Sequence, residues 1–591
     1  MANYIFVKTR KTVESSNMLQ VLEQTCNLLT PVVIRGKTQN TIERWPNDLD
    51  SFYAIQNSES IAKPEKSTLI IGWLQHSGSD DLNSCNPEAD GSYAVIKNTE
   101  KETSFFSDQF GSRTLWYYLD DDKLIVSTSQ RAVVSLKGSF ELNEETLAWY
   151  LSSGSQGPFI SWDKDIKHVL PNLEYRLNVT DWCMDSIQKP GMDLPPSGST
   201  KMSDYLDLYK AQVTNSLNQI INEYPKGQVL MPLSGGLDSR LLLALSKNAD
   251  LDNNLALVNW GVPKQKDVFD DKVAAHRVAK FYKKDLLEMS LPMEIDSYDQ
   301  VLDRFAKASE GRIDHFNAFT DSFEMWSEFF QRGYRMIIRG DIPFTEGLDI
   351  NHVQARSHQG LEPFTDYANA VDFGVKKYID AQNHYVMKRL DEESLIRWRD
   401  RLYTSWRVPM VISAFSHQIS GFVENRSPML SWSLYKLYMG LPDKDKGNKL
   451  HIKKLWQKYD HSGVSSHAVS SLSSMDSYFN NQKGKKYLLS KLELLMEDKY
   501  FSLSLVDSVY KILSKQELSL LEQSIMGSKK EVVFRKIQTL LSNHLPALPK
   551  AYLKSKQLKR LSVTTIAYRI VLAEKIINMY ESDATQIEVS Y

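Results

Sequence analysis

Little in this 591-residue chain is extreme, and what it lacks narrows the reading. Its three cysteines, Cys26, Cys85 and Cys183, match no metal-ligand spacing and cannot build a disulfide framework. That usage predicts a reducing, cytoplasmic location. The opening MANYIFVKTRKTVESSNML has no apolar core of signal-peptide length, and no uninterrupted apolar run is long enough to span a bilayer. Charge of either sign is not in excess. A net charge of −2, from 71 basic and 73 acidic side chains, gives no footing for a general nucleic-acid or anionic-membrane partner. Internal repeats and low-complexity tracts are missing too. At this length one hydrophobic core does not suffice, so two or more domains are expected.

What is there changes character along the chain. Up to about residue 190, short apolar, β-branched or aromatic runs (STLIIGWLQHS, GSYAVIKN, TSFFSDQFGSRTLWYYLDDDKLIVSTS, NLEYRLNVT) are split by Asp, Asn and Gly turn signals. Residues 1–190 therefore read as a β-rich domain. Asp120, Asp121 and Asp122 fall between two such runs and predict a hairpin. NEETLAWYLSS is the one clear helix there, with Asn143 as its N-cap. KPGMDLPPSGSTKMSD (189–204) has the proline and glycine of a linker. Over 205–470 helical stretches such as SRLLLALSKN and DDKVAAHRVAKFY alternate with strands such as QVLMPLS, NLALVNWG and YRMIIRGD, the rhythm of a parallel α/β sheet. From about residue 365 the chain reads mostly helical, with 471–591 as a helical C-terminal extension. Its basic stretches (KGKKYLLSKLELLMEDKY, SKKEVVFRKIQTLLSN, KAYLKSKQLKRL) read as solvated faces of amphipathic helices. A docking surface for an acidic partner protein or peptide is the alternative.

The most informative stretch is VLMPLSGGLDSRLLLALS, residues 229–246. A strand that ends in Ser-Gly-Gly and opens into a helix presents backbone N–H groups at the positive end of the helix dipole, a geometry that binds phosphate. Glycines allow close approach of the anion. Ser234 and Ser239 can add hydroxyl donors. Asp238 is out of place beside an anion unless it carries a metal, and Mg²⁺ bridging phosphate oxygens is the candidate.

Ser-Gly-Gly-Leu-Asp-Ser resembles the pyrophosphate loop of the ATP pyrophosphatases, and four further stretches resemble the asparagine synthetase-like family. GSYAVIKNTEKETSFFSDQFGSRTLWYYLDDDKLIVSTSQRAV, with Asp108, Gly111, Arg113, Leu115, Tyr117 and Tyr118, is similar to the core of that family's N-terminal amidotransferase domain. LVNWGVPKQKDVFDDKVAAHRVAKFY, with Val258, resembles its adenine-holding strand and the next helix. IIRGDIPFTEG, with Gly340 and Asp341, falls at its acidic loop. VENRSPMLSWSLYKLYMGLPDKDKGNKLHIKKLW supplies Glu424, Arg426, Pro428, Leu430, Leu441, Pro442 and Lys449.

The resemblance implies an Ntn-hydrolase-like β sandwich followed by an α/β ATP-pyrophosphatase domain of the adenine nucleotide alpha-hydrolase type. The implied activity is an AMP- and pyrophosphate-forming amide synthetase using ATP and Mg²⁺. In it Asp238 and Asp341 share Mg²⁺. Ser234, Gly235, Gly236, Leu237, Asp238 and Ser239 hold pyrophosphate, with Val258 and Gly340 at the nucleotide. Lys449 stabilises charge in both steps. Asp270 and Asp271 open a helix beside the nucleotide strand, with helix stabilisation and a nucleotide or metal role both open. Glu424 and Arg426 are expected as a buried pair, and His315 as packing near the acyl substrate.

The chain also departs from the family. Position 2 is Ala where glutamine-dependent members expose a cysteine nucleophile, and their Asn-Gly-Glu-Ile-Tyr-Asn segment is missing. Cys26 is expected to be a core residue. Asp341 is followed by Ile-Pro-Phe, closer to the Asp-Ile-Pro-Leu of β-lactam synthetases, yet Ile338 or Arg339 stands where those enzymes carry a catalytic tyrosine. Ser431 replaces the usual Asp. A front domain without glutaminase leaves an amine from the substrate itself or from a second molecule. Macrolactam closure of a precursor peptide, as in lasso-peptide cyclases, is the leading expectation. A small lactam, intermolecular or ammonia-dependent amidation, and a non-catalytic nucleotide-binding scaffold are the alternatives.

Overall fold

The computed structural model describes residues 3–57, 67–75, 89–261, 271–291, 294–316, 322–341, 347–384, 387–464, 478–525 and 559–587. Ala2, Cys85, Asp270, Ile342, Pro343, Phe344 and the basic stretch 528–543 lie outside the described residues. The architecture is mixed α/β, with antiparallel sheets in the N-terminal part, a parallel sheet later, and a helical C-terminal part.

The first strands are β1 (Tyr4–Thr9), β2 (Thr41–Arg44), β3 (Ser51–Ile55), β4 (Thr68–Leu74), β5 (Gly91–Asn98) and β6 (Glu102–Ser107). They continue with β7 (Trp116–Leu119), β8 (Lys123–Ser127), β9 (Lys167–His168), β10 (Leu173–Asn178) and β11 (Cys183–Gln188). One sheet runs β2-β3-β1-β8-β7-β9 and the other β11-β10-β6-β5-β4. Period-2 alternation explains how they stack. Tyr4 and Phe6 of β1 join Leu69, Ile71, Phe105 and Tyr175 of the second sheet in one core. Ile5 and Val7, on the opposite face, join Met18, Val21 and Leu22 of the helix Ser15–Leu29. All of β1 is therefore buried, because it is covered on both sides. The hairpin expected at Asp120–Asp122 forms, with Leu119 opposite Leu124 and the Asp120 carboxylate accepting from the N–H of Asp122 (2.9 Å) and Lys123 (2.8 Å). Asn143 caps the helix Glu144–Ser153.

The parallel sheet contains β12 (Val229–Pro232), β13 (Leu255–Gly261), β14 (Leu286–Ser290), β15 (Met336–Ile338) and β16 (Glu424–Arg426). Its order is β14-β13-β12-β15-β16. The chain winds outward from β12 in one direction and then, from β15, in the other. Such a reversal opens a crevice beyond the carboxyl ends of the two middle strands, where α/β sheets bind ligands. The glycine turn, which follows β12, and Gly340 and Asp341, which follow β15, lie at that edge.

The helix Val563–Thr585 is apolar on nearly all sides and correspondingly buried. It packs on the helices Gln130–Lys137, Glu144–Ser153 and Tyr298–Ser309. Arg131 grips Asp583 with two bonds (2.6 and 2.9 Å), and Arg569 bonds Asp314 (2.7 Å). One hydrophobic cluster thus runs from Ile5 to Ile587, and the C-terminal helix is a central pillar of it.

The linker expected at 189–204 is strapped down. The N–H groups of Gly198 and Thr200 donate to the Gly440 carbonyl (2.8 and 3.0 Å), and Lys189 is buried with its ammonium on the Ser107 carbonyl (2.6 Å). Proline- and glycine-rich composition left it without regular structure, while its main-chain groups found partners on the next domain. Among the described residues no helix is long and apolar enough to cross a membrane.

Candidate functional site

The glycine turn leaves β12 through Leu233, whose N–H donates to the Val258 carbonyl (2.8 Å) and latches the turn onto β13. Val258 is fully buried. Gly236 is the N-cap of the helix Leu237–Asn248, and no side chain caps that helix. Its first-turn amides are left for another acceptor. Further back the turn is not open as expected. The Ser234 N–H donates to Ser239 Oγ (3.1 Å), the Gly236 N–H to Ser234 Oγ (3.1 Å), and the Gly235 N–H to Asp271 Oδ1 (2.7 Å). The hydroxyls of Ser234 and Ser239 also bond each other (3.0 Å). The reason is physical: amides crowded at a helix N-terminus attract the nearest oxygens, and these side chains supply them. Asp271 thus does more than open its own helix, Asp271–Phe281; its carboxylate holds the glycine turn.

Asp238, in the first turn, faces two other segments. Lys449 Nζ lies 2.7 and 2.5 Å from its two carboxylate oxygens. Gly340, just past β15, comes so close that a Cβ there would lie 2.9 Å from the Asp238 Cβ. That contact explains a glycine before Asp341. Burial pushes the Asp238 carboxyl above the usual carboxylate range; Lys449 opposes the shift and the like charge of Asp341 adds to it. Asp341 accepts from Ser427 Oγ (2.6 Å) and pairs with Arg339 (3.0 Å). The three acidic and basic groups expected from sequence are therefore brought together: Asp238, Asp341 and Lys449.

Lys449 reaches the site through an unusual backbone. Gly447, Asn448 and Lys449 all have left-handed conformations, with φ of 87°, 50° and 51°. Two successive non-glycine residues in that region cost about 1–3 kcal/mol each, a strain that clusters at functional sites. The turn is held by the Gly447 N–H on the Tyr438 hydroxyl (3.2 Å). It aims one lysine of a lysine-rich stretch at Asp238, while Lys446 folds back onto the Met439 carbonyl (3.2 Å).

Of the other expectations, the Glu424–Arg426 pair is corrected. Glu424 and Arg426 do not pair with each other: Glu424 bonds Arg113 of the β sandwich (2.6 Å), and Arg426 bonds Glu223 (2.8 Å). Two apart on one strand, they share a face but point to different neighbours. His315 lies 3.1 Å from the Asp314 carboxylate and packs on Phe415, a packing role as expected. Ser431 caps the helix Trp432–Met439, a role for which Asp is equally suited. Cys26 is buried, and burial pushes its thiol up to about 12.

Sequence reasoning missed Ser427 and the role of Arg339, which fix Asp341, and Tyr403, a buried phenol whose ionisation both Asp341 and Asp238 oppose. Only the Ser beside the Glu-x-Arg stretch carried any signal. Among the described residues no group of three or more His, Cys, Asp or Glu could hold a metal alone. Two carboxylates without His or Cys form a hard oxygen set, which suits Mg²⁺ completed by phosphate and water oxygens. No protein-family model matches the chain, and no curated protein matches it.

Proposed function

We propose that the protein is an ATP-dependent, AMP- and pyrophosphate-forming amide synthetase of the asparagine synthetase-like type, with an Ntn-hydrolase-like front domain that has no glutaminase. The observation that carries this reading is the convergence of Asp238, Gly340, Asp341 and Lys449 at the point where the parallel sheet reverses its winding. The uncapped helix Leu237–Asn248 suits the phosphates of ATP, and Asp238 with Asp341 suits Mg²⁺. When bound, Mg²⁺ supplies neutralisation of phosphate charge.

In this reading a substrate carboxylate oxygen bonds to the α-phosphorus of ATP and the bond to pyrophosphate breaks. An amine nitrogen then bonds to the acyl carbon, the carbon–oxygen bond to AMP breaks, and the amine's proton is lost. The chain's residues bind and orient. The first-turn amides of Leu237–Asn248 receive the phosphate oxygens, and Ser427 and Arg339 keep Asp341 aimed. Lys449, strained toward Asp238, brings a positive charge to bear on the acyl and phosphate oxygens in both steps. Cys26, held as a buried thiol, offers no nucleophile for glutamine, and this reading assigns the amine to the substrate itself or to a second molecule. Macrolactam closure in a peptide is the favoured product.

A second reading, a nucleotide-binding scaffold without turnover, draws on the three turn amides already engaged by Ser239, Ser234 and Asp271. The test is mass spectrometry of a host-cell extract incubated with the protein, Mg²⁺ and ATP, with nucleotides assayed in the same tube and Asp238→Ala as control. A substrate that loses one water while AMP and pyrophosphate accumulate supports ring closure. A carboxylate joined to ammonia or to a second molecule keeps the synthetase and removes the cyclase. Bound ATP without AMP or product favours the scaffold.

A further inference from the structure

Between the β sandwich and the helices that follow lies a small cavity of about 30 Å³, room for roughly two waters or one compact ion. From the sandwich it is lined by Ser92, Ser112, Arg113, Thr114 and Thr128; from the other side come Arg312, His417, Asn425 and three serines. Every lining side chain is polar and none is a carboxylate. Arg312 is 1% exposed, yet it has no ion pair among the described residues. Its hydrogen bonds leave from Nη2 to uncharged oxygens: Thr114 Oγ1 (2.9 Å), the Pro409 carbonyl (3.0 Å) and Ser413 Oγ (2.5 Å). Its Nε is buried with no acceptor.

Burial pulls the Arg312 guanidinium down to about 10, so it stays charged at neutral pH. A buried charge without a counter-charge is costly, and so is an unanswered N–H. The nearby carboxylates are engaged elsewhere. Glu424 is on Arg113 (2.6 Å), and Glu310 takes the Gln130 N–H (2.8 Å), Ser129 and His417 (3.3 Å). The Ser112 hydroxyl donates to Asp108 Oδ2 (2.9 Å) and lies 2.8 Å from Ser92 Oγ, so the Ser92 proton is used on Ser112 and the unanswered donor at the cavity is the Arg312 guanidinium.

We propose that this cavity is a binding site for one small inorganic anion of halide size, held by the Arg312 guanidinium. The anion supplies the counter-charge that the fold withholds from Arg312 and ties the sandwich to the helices around Pro409 and Ser413. The site is independent of the nucleotide reading.

The test uses bromide as the probe on the full chain. Crystals soaked in sodium bromide should give an anomalous peak within hydrogen-bonding distance of Arg312. In solution, the melting midpoint should rise with sodium bromide but not with sodium gluconate at equal ionic strength. Asn425→Asp, which places a carboxylate on the cavity wall with little change of shape, should abolish that difference. Arg312→Gln should do the same where it folds. Density without anomalous signal, or a midpoint that follows ionic strength alike in both salts, would identify trapped water and overturn the proposal. A bromide effect that survives Asn425→Asp would place the ion elsewhere and overturn it equally.

Discussion

The bond from the Gly235 N–H to Asp271 leads to a prediction opposite in sign to the usual effect of damaging a binding site. In the structure a carboxylate holds the turn that the proposed function assigns to pyrophosphate. A phosphate oxygen accepting from the same N–H would sit about 3 Å from that nitrogen and within about 5 Å of the Asp271 carboxylate. Like unit charges at that separation repel by about 3 kcal/mol at an effective dielectric near 20. Partial exposure and salt cut this to about 1–2 kcal/mol, a factor of about 5–30 in affinity. Asp271→Asn keeps an oxygen acceptor for Gly235 and removes the charge. Pyrophosphate with Mg²⁺, titrated calorimetrically, should therefore bind about 5–30 times more tightly to the variant than to the parent. Equal or weaker binding by a variant of unchanged melting midpoint would refute the competition and make Asp271 a strut of the turn. If neither protein binds pyrophosphate or ATP, the nucleotide reading itself fails.

Other consequences are equally direct. Both contributions that hold the Asp238 carboxyl down come from Lys449, so Lys449→Met should raise its pKa further. A carboxyl-labelled NMR titration reads this, and an unchanged value would discount the pair. Gly340→Ala puts a methyl 2.9 Å from the Asp238 Cβ and should cost about 1–3 kcal/mol in denaturant unfolding while lowering turnover, although no chemical group is lost. A neutral result would mean the two segments move apart freely. Burial pushes the Asp400 carboxyl, beside Arg399, up to about 6. Its native value lies above the unfolded one, so its stabilising contribution is full below about pH 4 and is lost as pH rises through about 6. Asp400→Asn should flatten the stability profile between those limits, and an unchanged profile would contradict the shift.

Sequence alone determined the elements whose signals are local. The strand–glycine turn–helix at 229–248, the hairpin around Asp120 and the cap at Asn143 each depend on residues within a few positions, and each forms as read. The alternation of strands and helices after residue 205 likewise implied a parallel sheet, because parallel strands need crossover connections. The approach of Lys449 to Asp238 was legible only through family resemblance, since 211 positions separate them.

Tertiary structure decided everything that depends on which surfaces meet. The partner of Glu424 is Arg113, 311 residues away, rather than the arginine two positions on. Asp583 finds Arg131 across 452 residues, which turns an expected extension into the pillar of the core. The polar and proline-rich 189–204 segment looked like a tether, yet Gly440 and Ser107 give its backbone and lysine fixed acceptors. The same holds for the glycine turn. Its composition announced free amides, but whether an amide is free depends on the nearest oxygen in space. Asp271 supplies that oxygen from a helix 36 residues further along the chain.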